Sequence, residues 1–355
     1  MFGGLVFSRF WYQGQAVMAF TEIGSDGPVA RSSAVSAVGS ARWRRPTVTF
    51  VGLLLLIWLI LYGLHALLPE IQSGAMAIYA AKSGRFVKQQ MFGPSDRVRI
   101  MIFGDSRVIT GFYPGEFDNS FGEGVRSYNM GLPAERRFLP QLEAALAQGN
   151  VPTHVLLTYP WGDEAEPAPR FALLRDDNKL INALLPFRAF PRDVVLFAYN
   201  YRFRFAEGIR YTGAQIDQMI VDRGWYFIRW QSHFANDALP DDFAIPSDRS
   251  RQIDAREVPA RSLVRDRLMQ LASQYGFKVL LVPGYHRDRE FAAAPATDAD
   301  RDTVVLNSSP LVRVIGPDYF TYPTRFFADP VHLNPRGRSI YTAELAALLK
   351  KHQAF

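Results

Sequence analysis

Between Pro46 and Pro69 no residue carries a full charge, and the run 48–68 reads VTFVGLLLLIWLILYGLHALL, 21 residues. As an α-helix rising about 1.5 Å per residue it reaches about 31 Å, the thickness of a bilayer's hydrocarbon core. A helix satisfies its backbone polar groups internally, which lipid demands. A buried core helix of this length would normally keep a polar stripe, and this one has none. It is also too long for the apolar centre of a cleaved signal peptide, although Ala75-Met76-Ala77 resembles a small-residue cleavage site. The pattern predicts one uncleaved transmembrane helix over residues 47–68. Arg42, Arg44 and Arg45 stand directly before it, Glu70 follows, and the next basic residues are Lys82 and Arg85. That asymmetry predicts a single-pass inner-membrane protein with a cytoplasmic N-terminus and the bulk of the chain extracytoplasmic.

Residues 1–45, rich in Gly, Ser and Ala without periodicity, read as a disordered tail. Residues 69–96 read as a stalk, helical over 72–90 and closed by the turn signal Gly93-Pro94. From residue 97 onward, apolar strand-like runs at 98–103, 155–159, 278–283 and 312–315 alternate with helical patterns at 138–148, 258–275 and 337–350. Such alternation predicts an α/β domain over 97–355, a parallel sheet with helices on both faces. The stretch 164–256 interrupts this rhythm. It holds aromatic-rich helical pieces at 194–205 and 215–230 and a polar segment at 236–250, and reads as an inserted cap over the site.

Composition excludes several functions. There are no cysteines, hence no disulfide, zinc–thiolate site or cysteine nucleophile. The net charge of +6 comes from scattered arginines rather than a basic block, so no nucleic-acid footprint is expected. No spacing of His, Asp and Glu suits a metal, and no cofactor is expected.

The chemistry concentrates in two motifs. Gly104-Asp105-Ser106-Arg107 follows the first strand, which puts Ser106 at the C-terminal edge of a parallel sheet, where ligands bind in such folds. A serine there is often only a helix N-cap. A catalytic serine also needs a base, and the base an orienting carboxylate. Both occur in Ala328-Asp329-Pro330-Val331-His332-Leu333-Asn334-Pro335, just before the last helical pattern. This pairing favours a triad of Ser106, His332 and Asp329 over a cap and a surface histidine. Asp105 reads as a structural acceptor.

Gly-Asp-Ser after the first strand with Asp-x-x-His before the last helix resembles the SGNH/GDSL hydrolase family, over roughly residues 97–350. The resemblance implies a flavodoxin-like, three-layer α/β domain and serine-dependent acyl chemistry. It also implies an oxyanion hole from the backbone N–H groups of Ser106 and of Gly131, in Tyr128-Asn129-Met130-Gly131. The family's Gly-x-Asn-Asp block is replaced here by Tyr159-Pro160-Trp161-Gly162-Asp163-Glu164, which lacks the Asn that supplies a third donor. Asn129 is the candidate substitute.

The anchor, the altered block and the insertion are similar to envelope-bound relatives, the D-alanyl transfer protein of lipoteichoic acid modification and polysaccharide O-acetylation proteins. The resemblance therefore implies a membrane-anchored esterase or O-acyltransferase. Its partners would be a cell-envelope polysaccharide or acylated carrier and a multi-pass membrane acyltransferase. Arg107, Trp161 and His286 are candidates for substrate binding, though Arg107 is equally suited to an ion pair with the cap. The alternative is a non-catalytic polysaccharide-binding or scaffold protein on the same fold.

Overall fold

The computed structural model describes residues 40–71, 74–133, 138–158, 184–185, 187–188, 190–227, 234–253, 256–258, 260, 262–295 and 300–355. The chain divides into two compact units, residues 1–56 and 57–355. Helix α1 (Ser40–Leu67) begins in the first and ends in the second. It starts earlier than the predicted residue 47 and takes in the arginine cluster. Its segment Pro46–Leu67, 22 residues at mean hydropathy 2.4, is the one described helix long and apolar enough to cross a membrane.

Among the described residues the second unit has eight strands, β1 (Val98–Phe103), β2 (Val125–Asn129), β3 (His154–Leu157), β4 (Lys278–Leu281), β5 (Gly284–Arg287), β6 (Asp300–Leu306), β7 (Ser309–Ile315) and β8 (Tyr319–Tyr322). Six of them form one sheet in the order β2-β1-β3-β4-β7-β6. The first five are mutually parallel, and β6 returns antiparallel along β7 as a hairpin. β5 and β8 make a separate parallel pair.

Strands β1, β3 and β4 form where the sequence predicts them because VRIMIF, HVLL and KVLL are buried almost throughout, which selects near-continuous apolar runs. Alternate side chains feed two cores. Met101, Phe103, Val155, Leu157, Val279 and Leu281 pack with α5 (Leu139–Ala147) and α8 (Leu263–Tyr275). Ile100, Ile102, Leu156 and Leu280 pack with α3 (Ser106–Gly111), α4 (Pro114–Phe121) and α9 (Pro335–Lys351). Each fully buried aliphatic side chain contributes about 1.5–3 kcal/mol to this arrangement.

Four strands escape the sequence reading. β2 reads VRSYN, with only its last three residues buried, and β6 lies on the sheet edge with mostly exposed side chains. β5 and β8 are four residues each and carry polar side chains. Among the described residues of the insertion, α6 (Phe190–Asn200) and α7 (Phe205–Val221) are the α-helices longer than one turn, offset from the predicted 194–205 and 215–230.

The segment read as a stalk is packed against the domain. Helix α2 (Gly74–Ala81) runs into a π-helical turn, Lys82–Phe86, and Ala77, Ile78, Ala81, Lys82, Phe86 and Val87 are all buried. Their spacing is that of one helix face, and a free stalk has nothing to bury it against.

The sheet fixes where a site can lie. The chain leaves β1 for β2 on one side and returns to β3 on the other, so the strand order reverses between β1 and β3. In open parallel sheets the crevice for ligands opens there, beyond the C-terminal strand ends.

Candidate active site

Gly104 and Asp105 make the turn from β1 into α3, and Ser106 is the helix's first residue. A Cβ on Gly104 would lie 2.4 Å from the Val108 side chain and 2.5 Å from Thr158 Oγ1, so the turn closes only over glycine. Asp105 caps the helix, its carboxylate accepting from the N–H of Arg107 at 2.8 Å. The N–H of Ser106 makes no hydrogen bond among the described residues.

His332 reaches Ser106 from a short loop before α9. Phe327 and Leu333 bridge antiparallel, and Ala328 N–H donates to the His332 carbonyl at 2.8 Å, so the loop is a closed bulge. Asn334 caps α9 by accepting from Gly337 N–H at 2.9 Å, with Pro335 at the first helical position.

In this frame His332 Nε2 lies 2.8 Å from Ser106 Oγ, and His332 Nδ1 lies 2.7 Å from Asp329 Oδ2. The other carboxylate oxygen accepts from the N–H groups of Val331 and His332, both at 2.8 Å. Burial works to raise the Asp329 carboxyl. The hydrogen bond and charge of the imidazole, with the two backbone donors, more than offset it and hold the group below the ordinary carboxylate value. A carboxylate kept ionised beside Nδ1 fixes the tautomer that leaves Nε2 as acceptor for the serine proton.

The turn 129–131 carries a buried polar hub that the sequence reading assigned differently. Asn129 is fully buried, and its amide donates to the carbonyls of Val108 at 2.6 Å and Phe112 at 2.8 Å, bracing α3. Its Oδ1 accepts from Gly131 N–H at 3.1 Å. Asn129 is therefore a structural brace with both amide hydrogens engaged, not a spare oxyanion donor. The N–H of Gly131, expected in the oxyanion hole, points at Asn129. A Cβ on Gly131 would sit 2.9 Å from the Ile109 nitrogen and 3.0 Å from the Asp105 carbonyl oxygen, so this glycine lets the turn press against the start of α3.

Lys82 completes the hub. It is fully buried, and Nζ donates to the carbonyls of Asn129 at 2.9 Å and Gly131 at 2.8 Å, with Asn129 Oδ1 at 3.3 Å. Three acceptors match the three donors of an ammonium. Among the described residues no carboxylate lies within ion-pair reach, and burial pushes the amine well below its ordinary value. The peptide groups it grips pass the constraint on. Met130 N–H donates to the Ile102 carbonyl at 2.8 Å, and Leu132 N–H to that of Gly104 at 2.9 Å. Lys82 thus braces the end of β1 that leads into the Ser106 turn. A charge scan along a helix reads such a lysine as solvated.

Tyr285 is a second residue the sequence reading missed. Its buried hydroxyl donates to the Arg107 carbonyl at 3.0 Å, lies 3.0 Å from Thr110 Oγ1, and accepts from Leu333 N–H at 3.5 Å. It ties helix α3, which begins at Ser106, to the histidine loop.

The predicted substrate-binding residues fare differently. His286 is buried against the stacked rings of Tyr319 and Phe291, and Nδ1 meets Glu290 Oε2 at 2.9 Å. The cavity it lines with Arg107 and Thr158 measures about 10 Å³, room for one water and not for an acyl group. The carboxylate that His286 meets comes four residues after it in the chain. Arg107 lies 3.5 Å from the same Glu290, which also pairs with Arg251 at 2.7 Å. Burial would raise Glu290, but the hydrogen bond to His286 and the charges of His286, Arg107 and Arg251 bring it down to about 2. Trp161, with the rest of the block 159–164, lies outside the described residues, and no group of His, Asp and Glu among those described has metal-binding geometry.

Compared with known proteins, the chain matches no family model, no curated protein and no solved structure. The functional reading rests on the site alone.

Proposed function

We propose that this chain is a membrane-anchored serine acyl esterase or O-acyltransferase of SGNH type, a three-layer domain working on acyl groups of a cell-envelope polysaccharide. The observation that carries the reading is the unbroken relay from Asp329 through His332 to Ser106, at 2.7 and 2.8 Å. A purely structural serine and histidine have no need of this alignment, whereas nucleophilic catalysis requires it.

In the proposed reaction Ser106 Oγ attacks the ester carbonyl while His332 Nε2 takes its proton. The imidazolium is stabilised by Asp329, and the Ser106 N–H faces the developing oxyanion. Collapse breaks the bond to the leaving alcohol, which receives the proton from His332 and leaves an acyl group on Ser106. A second hydroxyl, from a saccharide or from water, loses its proton to His332, attacks the acyl carbonyl and releases Ser106. The acyl group we propose is small, acetyl by preference. With helix α1 in the inner membrane and Arg42, Arg44 and Arg45 on the cytoplasmic side, the domain faces the envelope polymers. A multi-pass acyltransferase would supply the acyl donor.

One observation favours the non-catalytic reading, a scaffold or polysaccharide binder: the Gly131 N–H is engaged by Asn129 rather than free for an oxyanion. Full-length protein in detergent, given an activated acetyl ester with and without a saccharide acceptor, separates the two. Serine-dependent acetyl transfer or release supports the enzyme, and saccharide binding without turnover supports the scaffold.

A further inference from the structure

The lower half of helix α1 has a partner from the insertion. Trp58, Leu61, His65 and Leu68 fall on one helix face and are partly covered, whereas Leu59, Ile60, Tyr62 and Leu64 stay exposed. The cover is apolar. Phe187 meets Trp58 with ring centres 6.3 Å apart, Phe190 meets His65 at 6.0 Å, and Ile71 and Phe197 close the cluster. Trp58 Nε1 donates to the Leu184 carbonyl at 2.7 Å, satisfying a backbone group in otherwise apolar surroundings. Trp58 lies about 13 Å along the helix from its end at Leu67, about half the depth of a hydrocarbon core.

Among the described residues the other face of α6 has no partner. Phe190, Val194, Phe197 and Ala198 are turned inward, yet Val195, Leu196 and Tyr199 are 67%, 47% and 79% exposed. Phe203, just beyond the helix, is 77% exposed, and Leu184 and Leu185 are exposed as well. Arg188 and Arg192 stand at one end of this apolar face, and Arg202 and Arg204 at the other. A water-facing helix does not leave four large apolar side chains open in a row. An apolar centre with aromatic and arginine ends is the composition of an element at a bilayer surface.

We propose that α6 with its flanks at Leu184, Leu185 and Phe203 is a second membrane-contacting element. It lies against the membrane helix with Val195, Leu196, Tyr199 and Phe203 among lipid acyl chains and with Arg202 and Arg204, at the end away from Trp58, at headgroup level. The proposal rests on the reading of Pro46–Leu67 as a membrane span. Helix α7 continues from α6 and leads into Trp225 and Tyr226, which bond the Thr110 and Ile109 carbonyls of α3 at 2.9 and 3.2 Å. The lipid-contacting element and the nucleophile helix are joined by this short path.

The chain has no cysteine, so single-cysteine labelling is clean. Leu196→Cys and Tyr199→Cys, each carrying an environment-sensitive fluorophore, are placed in full-length protein reconstituted into phosphatidylethanolamine/phosphatidylglycerol vesicles. Leu59→Cys reports the membrane helix, and Val305→Cys, on the exposed β6 edge, reports water. The proposal expects blue-shifted emission at positions 196 and 199, quenching by doxyl-labelled lipid and protection from iodide, as at position 59. Aqueous emission and iodide quenching at 196 and 199, as at 305, overturn it while leaving the membrane helix intact. Protection from both quenchers assigns the face to a second copy of the chain and also overturns it. A label at position 59 that lipid cannot quench removes the membrane reading itself.

Discussion

His332 Nε2 lies 2.8 Å from the Oγ of Ser106, although 226 positions separate the two in the chain. Two independent constraints hold them there. Ser106 is fixed by a turn that Gly104 permits and Lys82 grips from below, and His332 by a loop pinned to Asp329 and capped into α9. Tyr285 joins the two sides through the Arg107 carbonyl and the Leu333 N–H. The relay is thus over-determined by its surroundings, as preorganised catalysis requires.

Asp329→Asn tests the carboxylate. Asn keeps an oxygen for the N–H groups of Val331 and His332, so the loop survives. Its amide offers a hydrogen where Nδ1–H needs an acceptor, which drives the imidazole to the tautomer with hydrogen on Nε2. Serine-dependent ester turnover is expected to fall on the order of a thousandfold or more, with the melting temperature little changed. Turnover within a few-fold of wild type would show that Asp329 is only a loop brace.

Lys82→Met tests the brace beneath the nucleophile. Methionine fills the volume without the desolvation cost but leaves the Asn129 and Gly131 carbonyls unpaired. Turnover is expected to fall about tenfold through loss of positioning, and amide exchange at Met130 and Leu132 to quicken. Unchanged turnover with unchanged exchange would make Lys82 incidental to the site.

The strands and motifs that could be read from the sequence are those where one chemical requirement dominates. β1, β3 and β4 are buried on both faces and so are written as apolar runs, and Ser106 with Asp329-x-x-His332 forms a short pattern with one obvious chemistry. What stayed hidden depends on partners distant in the chain. Lys82 looks like a surface lysine until the turn 129–131 supplies its acceptors. Asn129 looks like a spare amide until α3 presents the Val108 and Phe112 carbonyls. β2 looks polar until α4 supplies partners for its buried serine: Ser127 N–H donates to the Asp118 carboxylate at 3.2 Å and the hydroxyl to the Pro114 carbonyl at 3.4 Å.

Glu290→Gln tests the charge cluster beside Arg107 through pH. The folded-state carboxyl is held at about 2 against an ordinary 4.5, so its stabilisation is fully present above pH about 4.5 and is lost as pH falls toward about 2. Thermal melts of full-length protein in detergent across that window should show wild type losing stability more steeply than the variant. At neutral pH the variant should be less stable by roughly 1–3 kcal/mol, because His286, Arg107 and Arg251 lose a charged acceptor. Parallel acid profiles would show that Glu290 is not coupled to them.

The central claim is that Ser106 carries the acyl group. Full-length protein mixed with an activated acetyl ester, quenched rapidly in acid and digested, gives a peptide mass map that reads this directly. The account predicts an acetyl group on the peptide containing Ser106, absent from Ser106→Ala and strongly diminished in His332→Ala, with the double variant scarcely worse than either single one. An unmodified Ser106 peptide together with equal ester turnover in wild type and Ser106→Ala would contradict it.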